Sequence, residues 1–508
     1  MGTCARYGMC SEPDGDAMQK EIVNNMQSES QVNDAGAQGL SRRLEVYPGP
    51  GGDAYRSDLY KVELLDGATW RELYLYKMSR LAICYGWHRG KHPSVNFATF
   101  GTTGPVQVRL TRLAGAIGNV QISPKSKAIV AGIRGGQAVF TLNQNDKAWI
   151  TVDGDDANPI FIYADPPKPA VPQGAEYFGP GVHEIGHLHP APDGGAIYLD
   201  GGAWVKGNID LRGRRGVRIL GPGVLSGELW TGESVLSLPW EKQRDYFMIS
   251  GDTADGDADN HLEGITIVNA PSYNTFHSLQ RIYGVKLISP WFGSTDGFYL
   301  TPSPSQTVMV DQCFAFVGDD VFFPRDNFMG NMILQNSFVS SSNNNIFCLS
   351  YWAGPLNHEF TTLARNIDIK VCPENAVFQC VIDGRESKLG VKNHIYEEIR
   401  IEGDLNDNCR LFWIENRPYP WGDTQNSSEG NASNLWFRDI TVEGRQNLPV
   451  RKSRIIGKDA TNGIRDVVFE NLTIAGVQIT ETNSDEYFEI NPWARDIRFT
   501  TVPTGVSI

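Results

Sequence analysis

Short apolar runs closed by Gly, Pro, Asn or Ser recur through the second half of the chain, the pattern of brief strands rather than helices. Ile265–Val268, Val285–Ile288, Val308–Val310 and Met332–Leu334 follow one another at steps of 20, 23 and 24 residues. The series continues, with longer steps that imply inserted loops, through Ile367–Ile369, Ile399–Ile401, Ile440–Val442 and Val467–Phe469. One strand type repeated at a period in the twenties predicts a solenoid. A leucine-rich repeat has a similar period, but its Leu-x-x-Leu-x-Leu frame is missing. The expected fold is therefore all-β, a right-handed parallel β-helix over residues 166–508. Its first coils are expected at the glycine-punctuated runs Gly181–Ile185, Ala196–Leu199, Gly202–Gly207 and Val217–Gly227.

The pattern ahead of residue 166 is different. Val106–Leu110, Ala138–Leu142 and Trp149–Val152 alternate apolar and polar residues between turn clusters, without a helical period. This predicts an antiparallel β-sandwich over residues 44–165. Ala164-Asp165-Pro166-Pro167-Lys168-Pro169 reads as a stiff connection. Residues 1–43 are polar, lack the apolar core of a signal peptide, and are expected to be an arm or leader.

Two acidic motifs fall inside the repeat. Ser294-Thr295-Asp296-Gly297 and Gly318-Asp319-Asp320 place their aspartates 23 and 24 residues apart. Taken singly, Asp-Gly and Asp-Asp are ordinary turn residues. Taken with the period, the three carboxylates fall on adjacent coils, whose strands lie about 4.8 Å apart. Two unit charges about 5 Å apart at an effective dielectric of about 20 repel by roughly 3 kcal/mol, or about two pKa units. Three such carboxylates do not all stay ionised, so one is expected to hold a proton beside one or two bases. Glycoside hydrolysis uses that division of labour: a carboxylic acid protonates the leaving oxygen while a carboxylate activates water or attacks carbon.

The motif pair resembles that of the clan of β-helical glycosidases containing the polygalacturonases (family 28) and the dextranases and isopullulanases (family 49). The resemblance spans about residues 170–500 and rests on the residues of these motifs. It implies an inverting mechanism with Asp319 as general acid and Asp296 and Asp320 holding the attacking water. Polygalacturonases also carry a Gly-His-Gly and an uronate-pairing Arg-x-Lys after the Asp-Asp motif, and neither occurs downstream of Asp320. A formal charge of −14 and a pI near 5.2 likewise disfavour a polyanionic substrate. The sandwich ahead of the helix is similar to the family 49 plan. The substrate expected is a neutral α-linked glucan, dextran-like first and pullulan-like second. A polygalacturonase-like, galactosidase or fructan-acting enzyme of the same fold, or a non-catalytic carbohydrate-binding β-helix, stays open.

Further substrate-binding candidates follow from position. His277 comes after Asn269-Ala270-Pro271, similar to an Asn-Ser-Pro…His element one coil before the first catalytic Asp. Arg325 follows the Asp-Asp motif by five residues and is suited to bond a sugar hydroxyl or Asp320. Tyr299, Tyr351, Trp352 and Trp413 lie on or after central strands and offer stacking faces, although large aromatics also bury well as core. Trp291 stands just before the first motif. Asn343-Asn344-Asn345 suggests a turn or a stacked Asn ladder.

Nothing calls for a cofactor or a metal: no Cys/His spacing is of zinc type, and eight scattered cysteines make no disulfide scaffold. Cys372–Cys380 and Cys4–Cys10 are the pairings to consider, against a role as small apolar core residues. The expected partner is an oligo- or polysaccharide, with no nucleic acid and no membrane, and the oligomeric state stays open. A polymeric substrate implies a secreted or periplasmic location. Sequons at Asn426, Asn431 and Asn471 are compatible with it.

Overall fold

The computed structural model describes residues 43–79, 93–190, 192–251, 258–277, 279–291, 293–300, 306–324, 330–349, 361–370, 375–382, 391–403, 408–417, 430–444 and 451–502. Residues 44–508 belong to one compact unit. From Glu176–Phe178 to Ala494–Thr500 the chain winds as a parallel β-helix, each coil laying one strand on each of three sheets. In the central coils the first sheet holds Leu279–Tyr283, Thr307–Asp311 and the opening half of Asn331–Ser341. The second holds Thr266–Val268, Lys286–Ser289, Phe314–Val317 and the closing half of Asn331–Ser341. The third holds Thr275–Phe276, Phe298–Leu300, Phe322–Pro324 and Phe347–Leu349.

Corner chemistry explains why the strands break where they do. Between the first and second sheets one residue per coil takes a positive φ: Gly264, Gly284, Gln312, Asn336, Asn366, Glu398 and Asp439 in turn. Asn tolerates this region because its short side chain bonds locally, and here it bonds the preceding coil: Asn336 Nδ2 donates to Asp311 (2.9 Å), and Asn366 Nδ2 to Asn336 (2.7 Å). An Asn ladder is thus present at this corner as well as at the one that carries Asn344. Inside the helix, Phe298, Phe322, Phe347, Phe378 and Phe412 stack one coil after another at centroid spacings of 4.9 to 5.6 Å. Their side chains are buried, and the column follows the rise of about 4.8 Å that strand pairing sets.

The register corrects three steps of the sequence reading. Val308–Val310 and Met332–Leu334 belong to the first sheet, whereas Ile265–Val268 and Val285–Ile288 belong to the second; Ile367–Ile369, Ile399–Ile401 and Ile440–Val442 return to the second, and Val467–Phe469 lies on the first. The true partner of Lys286 is Phe314, while Phe298 pairs with Phe322, and the first interval is the longer of the two. A shorter corner in the second of these coils accounts for the difference. The longer steps further on arise chiefly between the third sheet and the next coil, from Leu349 to Thr362 and from Asn416 to Ala432.

Before the helix lie two sheets packed face to face over a core that includes Val62, Leu64, Phe100, Val108, Phe140 and Ile162. One holds Thr69–Leu73, Tyr60–Asp66, Val106–Arg112, Gln137–Leu142 and Gly132–Arg134, all antiparallel. The other is antiparallel except where Asp155–Asp165 runs parallel to Ser94–Thr102. Its outer aromatics meet the helix, with Trp149 against Phe316 (4.8 Å) and Phe161 against Phe314 (4.9 Å). At the end of that strand Asp165 accepts from Lys286 Nζ at 2.6 Å, and Lys286 also donates to Gly264 O at 2.5 Å. The Pro-rich stretch that follows is tied down through Lys168, which bonds Glu45 and Asp200, and through Pro169 O, which accepts from Tyr198.

Cys313, Cys348, Cys380 and Cys409 are buried, reduced thiols, so Cys380 serves as a small core residue rather than half of a Cys372–Cys380 bridge. Cys4, Cys10 and Cys372 lie outside the described residues. At Asn471 the amide donates to Asp439 (2.8 Å) and accepts from Val502 N (2.9 Å). No helix among the described residues is long and apolar enough to cross a membrane.

Candidate active site

All three aspartates lie on the corner between the second and third sheets. Backbone bonds stack this corner: Gly297 N donates to Asp320 O (2.8 Å) and Val321 N to Asn345 O (3.0 Å), which makes Asp296, Asp320 and Asn345 equivalent positions on successive coils. Asn274 fixes the first of these, its Nδ2 donating to Thr295 O and Asp296 O while its Oδ1 accepts from Ser289 Oγ. Thr295 Oγ1 joins the coils by donating to Ser289 O and accepting from Gly318 N. Gly297 is required here: a Cβ would meet Val321 O at 2.6 Å. The Thr-Asp-Gly and Gly-Asp-Asp motifs are therefore two halves of one packed corner.

One carboxylate oxygen from each of Asp296, Asp319 and Asp320 lies within 4.8 Å of the others. Asp296 and Asp320 are buried, at 3% and 4% exposure, and Asp319 is half-buried. Asp319 Oδ2 accepts from Ser294 N (2.7 Å), an amide aimed by a positive φ of 64° at Ser294. Asp319 Oδ1 accepts from Asn344 Nδ2 (2.7 Å) and Asp320 N (3.0 Å). Asp320 Oδ1 accepts from both the backbone N and the Nδ2 of Asn345, at 3.0 and 2.7 Å. The Cys348 thiol donates to Gln379 Oε1 (3.4 Å), which also accepts from Asn345 Nδ2 (3.1 Å). Asn344 and Asn345 thus hold the carboxylates from the next coil. The sequence signal for this is that each Asn follows its Asp by 25 residues, one coil again.

Burial raises the pKa of Asp319. Asp320 is pushed up to about 7, first by burial and then by the charge of Asp319. The two titrate as a pair, and near neutral pH the pair retains a proton. The sign for stability follows from linkage: with a folded pKa above its ordinary 3.8, Asp320 contributes stability that is fully present below about pH 4 and lost as pH rises through about 7. Thermal unfolding at pH 5 and pH 8 should show this loss in the wild type and a flatter dependence in Asp320→Asn. An equal slope in both proteins would count against the raised pKa.

The other candidates separate. His277 is 2% exposed, its ring against Phe276 and Tyr299 at 3.7 and 4.9 Å. Tyr299, also 2% exposed, is packed among Phe276, Tyr273 and Phe323, so its ring serves the outer aromatic layer of the third sheet and presents no open stacking face. Trp413 is half-buried on the same sheet, beside Gln379 of the preceding coil, which pairs in turn with Cys348. Its indole is covered by the Arg417 guanidinium at 3.8 Å, and its Nε1 donates to Glu415 at 2.5 Å. Trp291 packs against the aromatic layer between sandwich and helix. Arg325, Tyr351 and Trp352 lie outside the described residues.

No family model and no curated protein matches the chain. Solved structures do. The fold is that of Dex49A from Penicillium minioluteum. That structure aligns with a TM-score of 0.64 at 15% identity, over 89% of this chain and 96% of its own. Two further structures match at lower TM-scores. They are the family 28 exopolygalacturonase of Yersinia enterocolitica (0.40, 12% identity, 78% of this chain and 96% of that one) and the endo-xylogalacturonan hydrolase of Aspergillus tubingensis (0.33, 11%, 64% and 90%). The likeness to Dex49A shows the architecture, a parallel β-helix with sheets ahead of it, and agrees with the clan resemblance of the motifs.

Proposed function

We propose that this chain is an inverting glycoside hydrolase that cleaves a neutral α-linked glucan, dextran-like α-1,6 linkages first. The observation that carries the reading is the meeting of Asp296, Asp319 and Asp320 within 4.8 Å on one corner. Asp319 is the most exposed of the three and shares a proton with Asp320, so it is the group that protonates the glycosidic oxygen. Asp296 and Asp320 hold a water between them, and the attacking water passes its proton to this pair as the bond to the leaving sugar breaks. The neutral substrate is supported by the charge of −14 and by the missing uronate-binding motifs. The fold shared with Dex49A supports the dextran-like preference. Action on a polymer implies a working location outside the cell or in the periplasm.

Incubation with dextran, pullulan, polygalacturonate and short glycosides tests the reading. New reducing ends are expected from dextran; release from polygalacturonate alone would overturn the neutral-glucan choice, and release from none would overturn the enzyme. Carboxyl groups about 5 Å apart accompany retention in two-carboxylate sites. Here a third carboxylate lets water sit between a pair without either oxygen attacking carbon. Proton NMR of the first-formed product should therefore show the inverted anomer, and a retained anomer would replace water attack by a glycosyl-enzyme intermediate.

A further inference from the structure

On the coils nearest the carboxylates, the corner between the second and third sheets is short, made of residues 269–274, 290–297 and 318–321. Two coils before Asp296 the same corner is a long insertion, residues 227–248, between Ser226 and Ile249, and it holds the short helices Gly232–Leu236 and Trp240–Gln243. The insertion is built to hold its shape. Thr231 Oγ1 caps the first helix by accepting from Ser234 N, and Gln243 Nε2 bonds Leu236 O and Leu238 O.

Trp240 stands at the inner end of this insertion. Its ring is fixed by Phe247, Tyr273 and Phe276, with centroids at 5.8, 5.9 and 6.2 Å and interplanar angles of 58° to 78°. Those three neighbours are buried, yet Trp240 itself remains 41% exposed. Tyr273 occupies, one coil earlier, the position that Asp296 occupies in its own coil, because Asn274 N bonds Asp296 O as Gly297 N bonds Asp320 O. The exposed indole therefore packs against the residue that sits on the same corner one coil, or about 5 Å along the helix axis, before Asp296.

We propose that Trp240 is a stacking platform for a hexosyl ring of the glucan bound at the carboxylates, and that the insertion of residues 227–248 forms the wall at that end of the cleft. The inference rests on the glycosidase reading and adds a substrate-binding subsite to it. An indole already locked by three rings binds the apolar C–H face of a sugar with little ordering cost.

Isomalto-oligosaccharides graded in length test it, with Trp240→Ala, Trp240→Phe and the wild type compared at each length. For chains long enough to span both coils, Trp240→Ala should lose about tenfold in kcat/KM, chiefly through KM. Trp240→Phe should recover most of that loss, and the shortest cleaved chain should lose far less. A loss that is absent, or equal at every chain length, overturns the platform. Should Trp240→Ala fail to fold, Trp240→Leu keeps the apolar bulk without the aromatic face and gives the same readout. A wild type that neither cleaves nor binds any neutral glucan removes the function and the subsite together; a wild type that cleaves, with length-independent variants, removes the subsite alone.

Discussion

Asp319→Asn should abolish nearly all turnover, by roughly a hundred- to ten-thousand-fold in kcat, while leaving glycan binding in place. The amide keeps the shape of the carboxylate and can still accept from Ser294 N or Asn344 Nδ2, so the corner should remain folded. What it loses is one of the two carboxyls that share a proton, a pair in which burial raises the pKa of Asp319 and pushes that of Asp320 up to about 7. A non-catalytic carbohydrate-binding helix gives a different result, since with no turnover to lose its affinity would be indifferent to the change. Reducing-end assays beside calorimetric titration of the same variant separate the two readings. Full retention of activity would move the acid elsewhere.

Lys286→Met should be the most damaging single change to stability, by about 3–5 kcal/mol in urea unfolding. Lys286 is fully buried on the second sheet, in the same coil as Asp296, and its ammonium bonds Asp165 from the last sandwich strand. Burial draws its pKa down while the charge of Asp165 opposes that shift. Removing the ammonium leaves the Asp165 carboxylate in a nearly closed space, with Lys147 at 3.5 Å as its remaining cation. Adding Asp165→Leu to Lys286→Met should recover part of the loss, because an apolar pair carries no desolvated charge. An unfolding midpoint unchanged in Lys286→Met would show that the contact between sandwich and helix does not depend on this pair.

The solenoid is legible in the sequence because each coil repeats a strand, and the joining of the aspartates follows from a coil-length offset. Which sheet sets that offset is not legible. Strands of the first two sheets resemble each other in composition, both alternating around a buried Val or Ile, so apolar runs from two faces merge into one series. The shared position of Asp296 and Asp320 is set instead by the third sheet, where Phe298 pairs with Phe322. Asn344 and Asn345 are visible as a polar cluster, but their task is not, because it depends on which carboxylate lies one coil below. The aromatics are hardest to place. Tyr299 faces outward from its strand, as a cleft residue would, yet Tyr273 and Phe276 from the preceding coil and Phe323 from the next close over it. Trp240, outside the repeat, carries no periodic signal at all.

Corner length has a consequence for how such a protein can change over generations. Only residues 318–321 join Val317 to Phe322, and a gain or loss of one would carry Asp319 and Asp320 out of line with Asp296 and with the Asn pair. The connections from the third sheet to the next coil already differ widely, from the brief one between Leu300 and Thr307 to the long one between Asn416 and Ala432, without disturbing the ladder. Insertions and deletions are therefore filtered by where in the coil they fall. Length can therefore be added at the permissive connections, whereas the corner that holds the three aspartates tolerates none.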